Sequence, residues 1–121
     1  MGKMNIEDAK KWDDTELDLR IDVDVFGKEE DILRSGWVKF DDFSTYPMRY
    51  STDIKHAREV QAKAIDVDAE GYVCRLINVS GGTIFYTSDG GFDLYGVSTL
   101  LQATPREISE AAYLTLQGHS T

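Results

Sequence analysis

Thr15-Glu16-Leu17-Asp18-Leu19-Arg20-Ile21-Asp22-Val23-Asp24-Val25-Phe26 is the stretch whose reading decides the fold. On an extended chain Leu17, Leu19, Ile21, Val23 and Val25 share one face, and Glu16, Asp18, Arg20, Asp22 and Asp24 share the other. Such alternation is the period-two template of a half-buried strand. An outer face this polar must be wet, which suits an antiparallel sheet better than a parallel one. The pattern predicts a strand over 15–26.

On the N-terminal side, Asn5 reads as an N-cap, and Ile6, Ala9 and Trp12 recur at helical spacing, so 5–12 reads as a short helix. On the C-terminal side the alternation stops at Gly27, and 27–35 reads as one helical turn ended by Gly36. Trp37–Phe43 reads as a second strand, with Trp37, Val38, Phe40 and Phe43 as its apolar members. Thr52-Asp53 opens a helix to about Gln61, and a strand follows to Asp68. Ala69-Glu70-Gly71 then reads as a hairpin turn into Tyr72–Val79, which is apolar on both faces like a central strand. Gly81-Gly82 and Ser88-Asp89-Gly90-Gly91 bound further strands at Thr83–Thr87 and Phe92–Tyr95.

The C-terminal helix carries the fullest set of signals. Thr104 is placed as N-cap, Pro105 at the first helical position and Glu107 to complete a capping box. Ile108, Ala111, Ala112 and Leu116 form its apolar stripe, and Gly118 ends it. The predicted fold is α+β: a mostly antiparallel sheet of about four to six strands with the C-terminal helix packed on it. With 121 residues and 41% apolar side chains, the chain reads as one domain over 1–121, with 1–4 and 118–121 as disordered tails.

Composition discounts several functions. The formal charge is −9, so phosphate backbones and anionic lipid repel the chain, and direct nucleic-acid or membrane binding is not expected. No apolar run approaches the ~18 residues of a membrane span. Met1–Ile6 has no hydrophobic stretch of the signal-peptide kind, and Cys74 is the single cysteine. A cytoplasmic protein is the expectation.

Motifs with chemistry are sparse. Asp66-Val67-Asp68-Ala69-Glu70-Gly71 resembles the opening of a calcium loop, but the twelfth position, where a bidentate glutamate belongs, is Ile77. It reads instead as an acidic hairpin turn. His56, His119 and Cys74 are too far apart for zinc-ligand spacing, and Cys74 lies in an apolar run where a thiol acts as a small hydrophobe. The two glycine turns lack the lysine and helix start of a phosphate loop. No catalytic residue, cofactor or metal is assigned.

Charge is concentrated in one region. Residues 13–31 hold nine acids and two bases, leaving −7 within the chain's −9. On a strand the same-face carboxylates recur about every 6.8 Å, comparable to the spacing along a phosphate chain. This reading points to a non-enzymatic acidic protein that engages a basic protein surface through Asp14, Glu16, Asp18, Asp22, Asp24, Glu29, Glu30 and Asp31. Asp18, Asp22 and Asp24 are its centre. A phage- or plasmid-type inhibitor of a nucleic-acid enzyme, acting as a nucleic-acid mimic, fits it, as does a toxin-neutralising immunity protein. The plainer reading is a polar outer face that keeps an amphipathic strand soluble and blocks edge pairing. Two alternatives stay open. One is a small-molecule-binding or enzymatic α+β domain with a pocket of Tyr86, Phe92, Tyr95 and Tyr113. The other is a structural subunit of a larger assembly.

Overall fold

The computed structural model describes residues 10–81 and 94–118. Helix α1, Asp14–Arg20, runs directly into a π-helical turn over Ile21–Val25. Three short strands follow: β1 (Glu29–Glu30), β2 (Val38–Phe40) and β3 (Phe43–Thr45). Helix α2 spans Ile54–Val79, α3 spans Leu94–Leu101 and α4 spans Pro105–Gly118. The chain is α+β, with an antiparallel sheet in the order β1-β2-β3.

The strand expected over 15–26 is helical. Its start is fixed by Asp13, whose side chain accepts the Glu16 N–H at 2.8 Å and whose carbonyl accepts the Leu17 N–H at 3.0 Å. Asp14 and Glu16 lie in the first turn and Arg20 in the last, which suits the helix dipole. Arg20 also pairs with Glu16 one turn earlier at 2.8 Å. On this helix the inward face is Leu17, Asp18, Ile21 and Asp22, with Leu19 buried beside it. The alternation is satisfied by two carboxylates turned inward among the aliphatics, an arrangement that period-two patterning does not anticipate. The π-turn closes with Phe26 N–H donating to the Ile21 carbonyl at 3.2 Å. Gly27 then ends it at φ +73, a left-handed conformation that glycine adopts without a Cβ clash.

The second strand is present but shorter than 37–43. Phe40 pairs with Phe43 across a tight Asp41-Asp42 turn, and Asp41 takes the left-handed φ of 55 that aspartate tolerates. Glu29 pairs with Lys39 and Glu30 with Val38. Gly27–Ser35 thus supplies strand β1 and a turn-rich loop rather than one helical turn.

The strands expected at Ile65–Asp68 and Tyr72–Val79 are both part of α2. Asp53 caps that helix by accepting the Lys55 N–H at 2.9 Å. Ala57, Val60 and Ala64 are buried along its first half, and Tyr72, Leu76 and Val79 along its second. The second set recurs at i, i+4 and i+7, so a run apolar on both faces resolves into one helical stripe plus Ile77. The halves meet at Asp68, whose backbone leaves the helical region (φ −159, ψ 81). Its carboxylate accepts the Gly71 N–H at 3.0 Å, so it acts as an internal N-cap. The hairpin expected over 69–71 is therefore a helix joint. The expected strand Thr83–Thr87 lies outside the described residues, as do Phe92 and Asp93, while Leu94 and Tyr95 open α3. Residues 5–9 of the expected first helix also lie outside them.

The C-terminal helix starts where its capping signals place it. Glu107 accepts the Thr104 N–H at 2.8 Å, and Thr104 Oγ1 accepts the Glu107 N–H at 3.1 Å. It packs on α2 rather than on the sheet. Ala57, Ala64, Ala111 and Ala112 are fully buried between the two, and such small residues let helix axes approach closely. Leu17 of α1 and Ile21 of the π-turn, with Tyr50, complete this core. Val38 of β2 is fully buried but is not part of this helical cluster.

Candidate interaction surface

The eight acids singled out by charge density divide into two groups. Asp18, Asp22 and Asp31 are buried. Asp14, Asp24, Glu29 and Glu30 are exposed, and Glu16 is half-buried. They do not form one outward row, because α1 and the π-turn wind successive positions around an axis.

Each buried carboxylate is a joint. Asp22 is fully buried and accepts the Tyr50 hydroxyl at 2.5 Å, the Met48 N–H at 3.1 Å and the Lys28 ammonium at 3.3 Å. It fastens the segment after β3 to the end of α1. Asp18 accepts the Ser51 N–H at 2.8 Å, four residues upstream along the same face. Burial pushes its carboxyl above the ordinary value, against the opposing pull of the Ser51 hydrogen bonds. Asp31 accepts the Leu33 N–H at 2.9 Å and the Ser44 hydroxyl of β3. Those donors, Ser44 first, hold its carboxyl below the ordinary value.

The exposed acids are partly matched. Asp14 pairs with Arg106 of α4 at 3.1 Å, Glu16 with Arg20, and Glu29 with Lys39 at 3.6 Å. Asp24 accepts the Tyr113 hydroxyl at 2.5 Å. Burial and that bond push the Tyr113 hydroxyl well above its ordinary range, as burial and Asp22 do for Tyr50. Both phenols are therefore neutral donors.

What charge patterning missed is apolar. Ile32 is 89% exposed and Leu33 93%, at the tip of the loop between β1 and β2. Phe43, Tyr46 and Met48 are exposed on or just after β3. The available signal was the Ile32-Leu33 pair itself, bulky aliphatics between Asp31 and Arg34 in a segment with no helical or strand period to bury them. Glu29, Glu30, Asp41 and Asp42 are exposed on the same three-stranded lobe. Asp41 and Asp42 lie outside the dense 13–31 run and were not singled out.

The loop carrying Ile32 and Leu33 is braced. The Asp31 N–H donates to the Trp37 carbonyl at 2.9 Å, and the Trp37 N–H to the Arg34 carbonyl at 3.0 Å. The Arg34 guanidinium lies 4.9 Å from the Trp37 ring centroid, and the Trp37 and Tyr46 rings are 4.4 Å apart.

Other candidate chemistry is dispersed. A cleft of about 320 Å³ is lined by Asp14, Thr15, Asp18, Tyr46, Pro47, Arg49 and Thr52. Of the expected aromatic pocket, Tyr113 is buried against Trp12, while Tyr86 and Phe92 lie outside the described residues. His56 lies on α2 at 3.9 Å from both Asp53 and Glu59, and Cys74 is half-buried on the same helix rather than mid-strand. Residues 66–71 form the kinked joint of α2 at Asp68 rather than a calcium loop or a hairpin turn. Among the described residues no group of three or more His, Cys, Asp or Glu is placed to hold a metal ion. None of the described helices is long and apolar enough to cross a membrane. Comparison with protein-family models, with curated proteins and with solved structures gives no match for this chain.

Proposed function

We propose that this chain is a non-enzymatic binding protein that engages a basic protein surface. The observation that carries the reading is the coincidence of exposed acids and exposed large apolar side chains on one lobe. Glu29 and Glu30 lie on β1, next to the loop from which Ile32 and Leu33 project, and Asp41 and Asp42 lie at the β2–β3 turn beside Phe43, at the other end of the same small sheet. Protein contact surfaces combine apolar anchors with a polar rim, and the sign of the rim selects the partner and speeds encounter. An overall charge of −9 favours a cationic partner.

Within this class, inhibition of a nucleic-acid enzyme and neutralisation of a toxin are both roles for such a binder. The phosphate-spacing premise of the mimic does not enter the proposal, since it needs an extended strand at 15–26 and that segment is helical.

Affinity capture from the native host tests the reading. The wild-type chain is compared with a variant carrying Glu29→Lys, Glu30→Lys, Asp41→Lys and Asp42→Lys. The expected result is a basic protein held by the wild type at low salt, released at high salt, and not held by the reversed variant. Equal retention by both chains at every salt concentration refutes the reading.

A further inference from the structure

Two aliphatic side chains exposed this fully are unusual on a loop that is otherwise fixed. The segment 31–37 is closed at its base by the Asp31–Trp37 hydrogen bond and spanned by Arg34–Asp31 and Trp37–Arg34 bonds. Asp31 holds the Leu33 N–H from below and is itself anchored to β3 by Ser44. The Arg34–Trp37–Tyr46 ladder stiffens one flank. None of these contacts covers Ile32 or Leu33. A loop ordered before binding loses little entropy on docking, which removes one of the costs of loop-mediated association.

We propose that Ile32 and Leu33 form a preorganised apolar plug against which a cationic, apolar segment of another protein packs, its bulky side chains covering the plug and its lysine or arginine side chains meeting the lobe's acids. The proposal rests on the reading of the chain as an acidic binder and names the anchor and the partner's chemistry. Charge complementarity selects the occupant. Between 29 and 46 the lobe has five acids and two bases. One base, Lys39, is paired with Glu29, and the other, Arg34, lies over Trp37. A second copy of this chain would bring a like charge of −9 and the same acids against the plug, so self-association is disfavoured. A cationic, apolar segment of another protein satisfies both features at once. Buried aliphatic anchors ringed by a polar rim are the arrangement that concentrates binding energy.

The test uses the full chain as bait for a random dodecapeptide phage library, selected at low salt. Selected peptides are synthesised, and their affinities for the wild type, for Ile32→Ser with Leu33→Ser, and for the Glu29, Glu30, Asp41 and Asp42 lysine variant are measured by fluorescence anisotropy. The expected consensus places bulky apolar residues beside lysine or arginine. The serine variant should bind such peptides at least about tenfold more weakly, since burying one aliphatic side chain is worth about that factor or more. Its thermal melt should match the wild type, because neither side chain contributes to the core. Affinity unchanged in the serine variant but lost in the lysine variant overturns the plug and leaves the acidic-binder reading intact. A consensus without cations, insensitive to the lysine variant, overturns both. A concentration-dependent dimer in sedimentation velocity that the serine variant abolishes also overturns the plug proposal, because the tip then serves a second copy.

Discussion

Asp22→Ala separates the helical architecture from the strand that the alternation suggests. On a strand, Asp22 would face solvent among like charges, and its removal would be neutral or would relieve repulsion. In the structure it is fully buried with three donors. Truncation strands the Tyr50 hydroxyl, on a side chain only 2% exposed, and removes the acceptor of the part-buried Met48 N–H. A buried donor left unpaired costs about 1–3 kcal/mol. The Lys28 side chain is 22% exposed, so its ammonium recovers water and adds less. The expected loss is about 2–4 kcal/mol, a large share of the roughly 5–15 kcal/mol that holds a small domain together. Urea denaturation followed by circular dichroism at 222 nm measures it, with an unchanged slope confirming that the same transition is compared. A double-mutant cycle adds specificity. Tyr50→Phe alone should cost about 1 kcal/mol, but in the Asp22→Ala background it removes a stranded hydroxyl and should cost nothing further or restore stability. Glu30→Ala, on an exposed acid, is the control and should stay within about 0.5 kcal/mol. A cost for Asp22→Ala below about 1 kcal/mol, or strict additivity with Tyr50→Phe, refutes the buried joint.

Arg106→Ala should destabilise by about 2–4 kcal/mol, because Arg106 donates to Glu110 at 2.5 Å, to the Trp12 carbonyl at 2.7 Å and to Asp14, and Glu110 is only 5% exposed; a calorimetric melt shifted by less than 2 °C argues against that network. Asp18→Asn keeps an oxygen for the Ser51 N–H and removes a buried charge. Because burial raises the folded-state value, the ionised group penalises the fold above that value, and the penalty fades as pH falls through it toward the unfolded value of about 3.9. The variant should therefore match or exceed the wild type at pH 7, with the gap narrowing toward pH 4 in urea titrations; a gap independent of pH contradicts the burial argument. Asp31 runs the other way: held low by Ser44, it stabilises above the unfolded value and loses that contribution as pH falls through its folded value, so Ser44→Ala should flatten the acid limb of the stability profile. Thr104→Ala should cost about 1 kcal/mol through loss of the α4 cap, measurable in the same urea assay.

The legible parts of the sequence were those with local chemistry. Thr104, Pro105 and Glu107 specify a helix start through side-chain to backbone bonds within four residues, and α4 begins there. Thr52-Asp53 marks the start of α2 for the same reason. The apolar members of Trp37–Phe43 mark strand β2, but the Asp41-Asp42 turn that splits this stretch into a hairpin is not part of that reading. The illegible parts were those where tertiary contacts override pattern. Leu17 and Ile21 satisfy both a period of two and a helical i, i+4 spacing. What decides between them is whether Asp18 and Asp22 have buried donors, and Ser51, Met48 and Tyr50 lie about thirty residues away. Tyr72–Val79 was ambiguous in a similar way, since a run apolar on both faces fits a central strand or a buried helix. Of the eight acids, charge density found the region but not the direction of each side chain. The exposed pair Ile32-Leu33 has no period to flag it, and only the bracing of its loop gives it meaning.

The inward acids connect fold to function through stiffness. Asp22 pins the segment leaving β3 to the end of α1, and Asp31 pins the plug loop to β3 itself. The lobe is therefore held at both its exit strand and its tip by carboxylates that density alone would assign to the surface. Burying a carboxylate is costly unless every lone pair finds a donor, and a hydrophobic residue would fill either site with less risk. What a carboxylate adds is direction: it accepts N–H and O–H groups from segments distant in sequence and fixes their relative orientation. A lobe that presents Ile32 and Leu33 needs that orientation, because a loosely held tip would lose on binding the entropy that rigid presentation saves. The same acids thus serve recognition indirectly, by holding the apolar tip and the exposed Glu29, Glu30, Asp41 and Asp42 in one arrangement. On this argument a conservative loosening such as Ser44→Ala should weaken the selected peptides without touching any residue they contact, and full affinity in that variant would detach the buried acids from recognition.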